Sequence, residues 1–190
     1  MRDVQNMKKM RISMLAVAVA ALLGLPAVAQ ELETQMAVCN ACHGQNGQPI
    51  APNIPIIWGQ QTAFLVKQIH DYKSKDRDNP IMTPLTEQIK QPDIRKVATY
   101  FAAKPWPAKN PAVTALPAPD GLTVCRICHQ PNFEGGLPAP RLAGQSYDYL
   151  LSALNSFADG TRDNNADMVK LMQATTPAQR ETIARYLSSL

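Results

Sequence analysis

The chain has 190 residues, 18% of them charged and 45% hydrophobic, with a formal net charge of +4. Most of that charge is local: Arg2, Lys8, Lys9 and Arg11 against Asp3 leave the remainder of the chain near neutral. The sequence pI of about 8.9 therefore makes no case for nucleic acid or an anionic membrane surface as a partner.

Residues 1–29 read as a cleaved export signal. Lys8, Lys9 and Arg11 form a basic stretch, Ile12 to Leu25 is apolar, and Ala27-Val28-Ala29 supplies small residues ahead of Gln30. The apolar run is short for a membrane span, and export of this kind implies a periplasmic location. A short helix is predicted over Glu31 to Cys42, and an amphipathic one over Thr62 to Lys73. The last helix of this half starts near Pro92, with Ile94, Val97, Ala98 and Phe101 on one face. Lys104 to Asp120 then carries Pro105, Pro107, Pro111, Pro117 and Pro119, a density that stops helices and favours an extended connector. In the second half, Ser146 to Ala158 is amphipathic. Thr176-Pro177-Ala178-Gln179 combines an N-cap, a proline at the first helical position and a capping-box partner. Ile183, Tyr186, Leu187 and Leu190 form the apolar stripe that follows. Pro49 to Pro55 and Leu137 to Pro140 read as irregular loops, and no strand alternation stands out. The fold expected is all-α, with domains at 30–104 and 120–190 joined by a Pro-rich linker at 105–119.

The two halves are copies. Cys39-Asn40-Ala41-Cys42-His43 and Cys125-Arg126-Ile127-Cys128-His129 lie 86 positions apart and use all four cysteines of the chain. Gly59-Gln60 matches Gly144-Gln145, and Arg77-Asp78-Asn79 matches Arg162-Asp163-Asn164, both at offset 85. Met82 with Met168, Val97 with Ile183 and Tyr100 with Tyr186 return to 86. A match sustained over the whole unit, with one deletion and one insertion, is a duplication.

C-x-x-C-H is the attachment sequence of haem c. Two thiols add across the vinyl groups of one porphyrin edge, and the adjoining histidine ligates iron. Two copies predict two covalent haems, on Cys39 and Cys42 and on Cys125 and Cys128, with His43 and His129 as proximal ligands. A covalent haem also gives a small domain the apolar core it otherwise lacks. The sixth ligand separates electron transfer from catalysis at an open iron. Past the leader the chain has four methionines, Met36, Met82, Met168 and Met172. Met82 lies 43 residues beyond Cys39, and Met168 lies 43 beyond Cys125. Filler methionines need not keep such register, so Met82 and Met168 are the expected ligands, with Met172 the competitor in the second copy. His70 has Asn155 as its counterpart and reads as a packing residue. A ligating histidine donates its other ring N–H to a fixed acceptor. Pro52 and Pro138, each nine residues after its histidine, are the expected carbonyls. Arg77, Arg162, Arg141 and Trp58 are candidates to bind haem propionates.

With these motifs the chain resembles the cytochrome c4 family over nearly all its length beyond the leader. The resemblance is carried by both C-x-x-C-H motifs, by Ala51-Pro52-Asn53-Ile54-Pro55 running to Gly59-Gln60, and by Pro140-Arg141-Leu142-Ala143-Gly144-Gln145. Arg77-Asp78-Asn79-Pro80-Ile81-Met82 and the helix after it add to it. It implies two tandem class I cytochrome c domains about a pseudo-twofold axis, with propionate edges facing each other. It further implies His/Met ligation, mapping to His43/Met82 and His129/Met168. Three departures stand out. Trp58 occupies a place that is usually small, as Ala143 is. Gln130-Pro131-Asn132-Phe133-Glu134 follows the second motif. Asn165-Ala166-Asp167 precedes Met168.

The function expected is that of a periplasmic dihaem carrier, not an enzyme. It would be soluble or peripherally attached to the membrane, moving electrons from a quinol-oxidising complex or a dehydrogenase to a terminal oxidase or reductase. The alternative is a dihaem subunit of an exported dehydrogenase complex. A peroxidase-like enzyme would need one displaceable ligand. A dithiol oxidoreductase or a four-Cys zinc site leaves the paired histidines and registered methionines without a role.

Overall fold

A computed structural model describes residues 27–107 and 114–190. The leader reading, through residue 26, and residues 108–113 of the linker lie outside the described residues. Met36–Leu190 forms one compact unit. The described helices are α1 (Ala27–His43), α2 (Thr62–Ser74), α3 (Met82–Glu87), α4 (Ile94–Ala102), α5 (Thr123–His129), α6 (Tyr147–Asp159), α7 (Ala166–Gln173) and α8 (Pro177–Ser189), with a 3-10 turn at Gln91–Asp93. Among the described residues the only extended pairing is an isolated bridge between Gly136 and Ala139. None of the described helices is long and apolar enough to cross a membrane.

The duplication is visible element by element. In the first lobe α2 packs against α3 and α4; in the second α6 packs against α7 and α8. On α2 the residues turned inward are Leu65, Gln68, Asp71 and Tyr72, and on α6 they are Leu150, Leu154 and Phe157, the spacing of one helix face. Both helices end on a left-handed residue, Lys75 and Gly160. The final helices bury the whole stripe read for α4, Ile94, Val97, Ala98 and Phe101, and half of that read for α8, Tyr186 and Leu187, with Ile183 and Leu190 half-buried. Each last helix is tied to the loop of its own lobe. Gly59 N–H donates to Phe101 O and Gly144 N–H to Leu187 O, both at 2.9 Å, so carbonyls at the helix ends find partners.

Sequence periodicity misses α3 and α7, because six- and eight-residue helices are too short to show it. Both are nonetheless specified locally, by asparagine side chains described below. The capping box at α8 forms as expected: Thr176 Oγ1 accepts from Gln179 N–H at 3.2 Å, and Gln179 Oε1 accepts from Thr176 N–H at 2.8 Å. Thr176→Ala should cost about 1 kcal/mol, read as a lowered denaturant midpoint with an unchanged slope.

Candidate functional site

Each C-x-x-C-H motif closes a helix, α1 in the first lobe and α5 in the second, so its two cysteines sit one turn apart. No disulfide joins any of the four cysteines. Burial pushes the Cys39 thiol up to about 11, and burial likewise raises Cys125. A redox dithiol needs the opposite shift. Among the described residues no group of three or more His, Cys, Asp or Glu side chains is placed to hold a metal ion together.

His43 and His129 are both buried. His43 Nδ1 lies 2.8 Å from Pro55 O, and His129 Nδ1 lies 2.9 Å from Pro140 O. A carbonyl only accepts, so each Nδ1 carries the proton and each Nε2 keeps its lone pair. Burial lowers the pKa of both imidazoles, against a smaller opposing effect of the proline carbonyls. Neutral rings of this tautomer are what iron requires.

The acceptors correct the sequence expectation of Pro52 and Pro138. The Pro52 carbonyl instead accepts from Ser146 Oγ in the other lobe, and Pro138 lies in the loop spanned by the Gly136–Ala139 bridge. The physical reason is register. Pro55 and Pro140 each stand four residues ahead of the glycine turns at Gly59 and Gly144, which hold them in place. The single-residue deletion falls between motif and turn, so counting from the histidine picks the wrong proline. Counting back from the turn finds the right one.

Met82 and Met168 occupy the same structural place. Asn79 Oδ1 accepts from Met82 N–H at 2.9 Å, and Asn165 Oδ1 from Met168 N–H at 3.0 Å. The carbonyls of the same asparagines accept from Thr83 and Val169 N–H at 3.0 and 3.1 Å. Asn165 is thus the N-cap of α7, and Asn79 makes the same pair of bonds from the turn just ahead of α3, whose first residue is Met82; in each lobe the methionine stands three residues beyond the asparagine. Both methionines are half-buried, whereas Met172 is 4% exposed within the core of the second lobe. The inserted residue of copy two can also be placed. Asn79 aligned with Asn164 by sequence, but the cap is Asn165. Asn164 is left to reach across to the first lobe, donating to Asp71 Oδ2 at 2.5 Å.

The propionate candidates separate into two groups. Trp58 Nε1 donates to Asn40 Oδ1 at 3.2 Å, and Arg141 Nε to Ala143 O at 3.1 Å. Arg77 and Arg162 meet at the junction of the lobes. Arg77 Nη1 donates to Gln68 Oε1 at 2.6 Å and Arg162 Nη2 to the same oxygen at 3.0 Å. Tyr149 joins them, its hydroxyl 3.5 Å from Arg77 Nη2. Burial raises this phenol, but the Arg77 and Arg162 guanidiniums outweigh burial and bring it down to about 8. The neighbouring carboxylate, Asp71, is shared with Lys67 at 2.5 Å. Two guanidiniums thus meet beside one carboxylate that is itself shared with Lys67, an arrangement complementary to a further anionic group. His70 is half-buried on α2.

A cytochrome c family model matches residues 122–190, the second lobe. Cytochrome c4 of Pseudomonas aeruginosa is 34% identical over 154 residues, covering 75% of this chain and 76% of that protein. The chain belongs to the cytochrome c4 family. The solved cytochrome c4 of Acidithiobacillus ferrooxidans superimposes with a TM-score of 0.73 at 30% identity, covering 81% of this chain and 99% of that one. A further relative, a thiosulfate dehydrogenase electron acceptor of Stutzerimonas stutzeri, is 29% identical over 170 residues, 80% of this chain and 78% of its own length. As a cytochrome c4 the molecule is an all-α pair of tandem class I cytochrome c domains, a dihaem c-type cytochrome whose work is electron transfer. The residues fit that cofactor: buried imidazoles whose Nδ1 is fixed to a proline carbonyl, cysteines paired one helical turn apart, a methionine whose N–H is bonded to an asparagine side chain in each lobe, and two arginines at the junction suited to carboxylates.

Proposed function

We propose that the protein is a periplasmic electron carrier in which His43 and Met82 ligate one iron and His129 and Met168 the other. Cys39 and Cys42 hold the first haem by thioethers, and Cys125 and Cys128 the second. The observation that carries this reading is the twofold recurrence of one local design, an imidazole fixed to a proline carbonyl and a methionine whose N–H donates to the side chain of an asparagine three residues before it. Residues 1–29 would be removed on export, leaving domains at 30–104 and 120–190 about the linker 105–119.

Bound haem supplies a one-electron ferric/ferrous couple. The chain does the rest. His43 and His129 are held in one tautomer by their prolines, so neither ring has to turn when the charge on iron changes. Thioether ligands favour a higher potential than a second histidine would. Ile94, Val97, Phe101, Phe133 and Leu187, all 2% exposed or less, keep water from each core. Arg77 and Arg162 would hold propionate carboxylates at the junction, bringing the two cofactor edges to the same place.

The donors and acceptors proposed are a quinol-oxidising complex or dehydrogenase on one side and a terminal oxidase on the other. Stopped-flow mixing of the oxidised holoprotein with a reduced small cytochrome, and of the reduced holoprotein with an oxidase, tests this. Both haems are expected to exchange electrons. Failure of both in both reactions ends the carrier reading. The relative that serves as a thiosulfate dehydrogenase electron acceptor favours a second reading, the dihaem subunit of an exported dehydrogenase. A stoichiometric large subunit in a pull-down from the native host would establish that one.

A further inference from the structure

The two lobes grip each other through a pair of glutamines, and the grip lands on the peptides that hold the histidines. Gln145 Oε1 accepts from Ile56 N–H at 2.9 Å, and its Nε2 donates to Ile56 O at 3.0 Å. Gln60 does the same in the opposite direction. Its Oε1 accepts from Arg141 N–H at 2.7 Å, and its Nε2 donates to Arg141 O at 3.0 Å. Both glutamines are 3% exposed. Each is also locked from its own side, since Oε1 accepts the N–H of the next residue, Gln61 or Ser146, at 2.9 Å.

The amide of Ile56 is the other end of the peptide whose carbonyl belongs to Pro55. That carbonyl accepts from His43 Nδ1. Likewise the amide of Arg141 shares its peptide with the carbonyl of Pro140, the acceptor of His129 Nδ1. A peptide group is one conjugated unit. An acceptor drawing on its N–H polarises its C=O, and hydrogen bonds in such a chain reinforce one another. A stronger acceptor on Nδ1–H makes the imidazole a more basic ligand, which favours the ferric state.

We propose that Gln60 and Gln145 are positioning residues acting across the lobes: Gln145 sets the proximal hydrogen bond of His43, and Gln60 that of His129. Each haem thus owes part of its potential to a side chain of the other domain. This rests on the reading of His43 and His129 as iron ligands.

Gln145→Met and Gln60→Met in the full holoprotein keep side-chain length and remove both bonds. Two quantities are to be measured: the reduction potential of each haem, and the solvent exchange of each proximal Nδ1–H, whose proton resonance is shifted by ferric iron. In Gln145→Met the His43 proton should exchange on the order of tenfold faster, the scale of one lost net hydrogen bond. The potential of the first haem should rise, with the second moving far less. Gln60→Met should give the mirror image. Gln145→Glu, which restores an acceptor for Ile56 N–H, should bring the first haem back toward wild type and serves where the methionine variant does not fold. Equal shifts at both haems, shifts confined to the variant's own lobe, or no shift at all would overturn the proposal. Absence of an iron-shifted His43 Nδ1–H in the wild-type protein would sink the ligand assignment itself, and the cross-lobe role with it.

Discussion

Met168→Leu should abolish the weak long-wavelength absorption of thioether-ligated ferric haem in one of the two centres and lower that centre's potential by at least about 0.1 V, a modest part of the ~0.8 V that axial ligands command. Met82→Leu should do the same to the other centre. The informative control is Met172→Leu. Met172 is buried in the hydrophobic core with Leu150, Leu154 and Phe157 around it, so an exchange of similar volume should cost under about 1.5 kcal/mol and leave both spectra intact. Geometry as well as register favours Met168 over Met172. Asn165 holds the N–H of Met168 at the third position of α7, as Asn79 holds that of Met82 at the start of α3, and Met172 lies one turn beyond Met168. If Met172→Leu removed the thioether signature and Met168→Leu did not, the second lobe would have departed from the repeat. Loss of either ligand should also open a coordination position, so binding of a small ligand such as cyanide to one haem per chain should accelerate in Met168→Leu and in Met82→Leu but not in Met172→Leu.

Phe133→Ala should destabilise the holoprotein by about 3–5 kcal/mol, seen by denaturant unfolding followed both in the haem band and by circular dichroism. Phe133 is fully buried. It meets Tyr186 edge to face at 6.1 Å between centroids, and the Arg126 guanidinium lies 5.4 Å from its ring. Its carbonyl accepts from the N–H groups of Leu142 and Ala143 at 2.8 and 3.0 Å. At the matching place in the first lobe stands Gly47, where an added Cβ would come within 2.9 Å of the Trp58 ring. Trp58 in turn matches Ala143. The lobes have therefore exchanged bulk: Gly47 with Trp58 in one, Phe133 with Ala143 in the other. The exchange extends to the haem motif, since Asn40 accepts from the Trp58 indole where its counterpart Arg126 covers Phe133. Both Gly47 and Phe133 have positive φ, 82° and 57°, a region where glycine is at ease and phenylalanine is strained. Transplanting the first lobe's set, Phe133→Gly with Ala143→Trp and Arg126→Asn, should recover at least ~1 kcal/mol relative to Phe133→Gly alone. A triple variant less stable than the single one would show that the two sets are not interchangeable.

This exchange bears on what a sequence discloses. Trp58 and Phe133 each look like an isolated departure from the family pattern, because they are eleven residues from their partners along the chain in the first lobe and ten in the second. Only contact shows that each departure answers the other. The long helices were legible because a buried face repeats every three to four residues, and of the residues that periodicity names in the final helices only Ile183 and Leu190 are less than fully buried. The haem motifs and the methionine register were legible because they are fixed by chemistry and by duplication. The histidine acceptors were not, since a deletion of one residue separates the count from the histidine from the count to the turn. The cross-lobe bonds were also hidden: Gln60 to Arg141 and Gln145 to Ile56 span 81 and 89 residues. Nothing local in a glutamine announces that its amide will close on a backbone that far away.

The glutamine contacts have the form of an isologous interface, in which one surface meets its own copy: what Gln60 does to residue 141, Gln145 does to residue 56. Such a contact is the kind by which two identical molecules form a closed pair. Each lobe therefore carries a complete half of a dimer contact, the donor side chain and the receiving backbone together. The proline-rich connector turns what would be a bimolecular encounter into an intramolecular one, at an effective concentration in the millimolar range for a short tether. The pairing of the two redox centres is thereby freed from dependence on how much protein the compartment holds, and the stoichiometry of two electrons per encounter is written into the covalent chain.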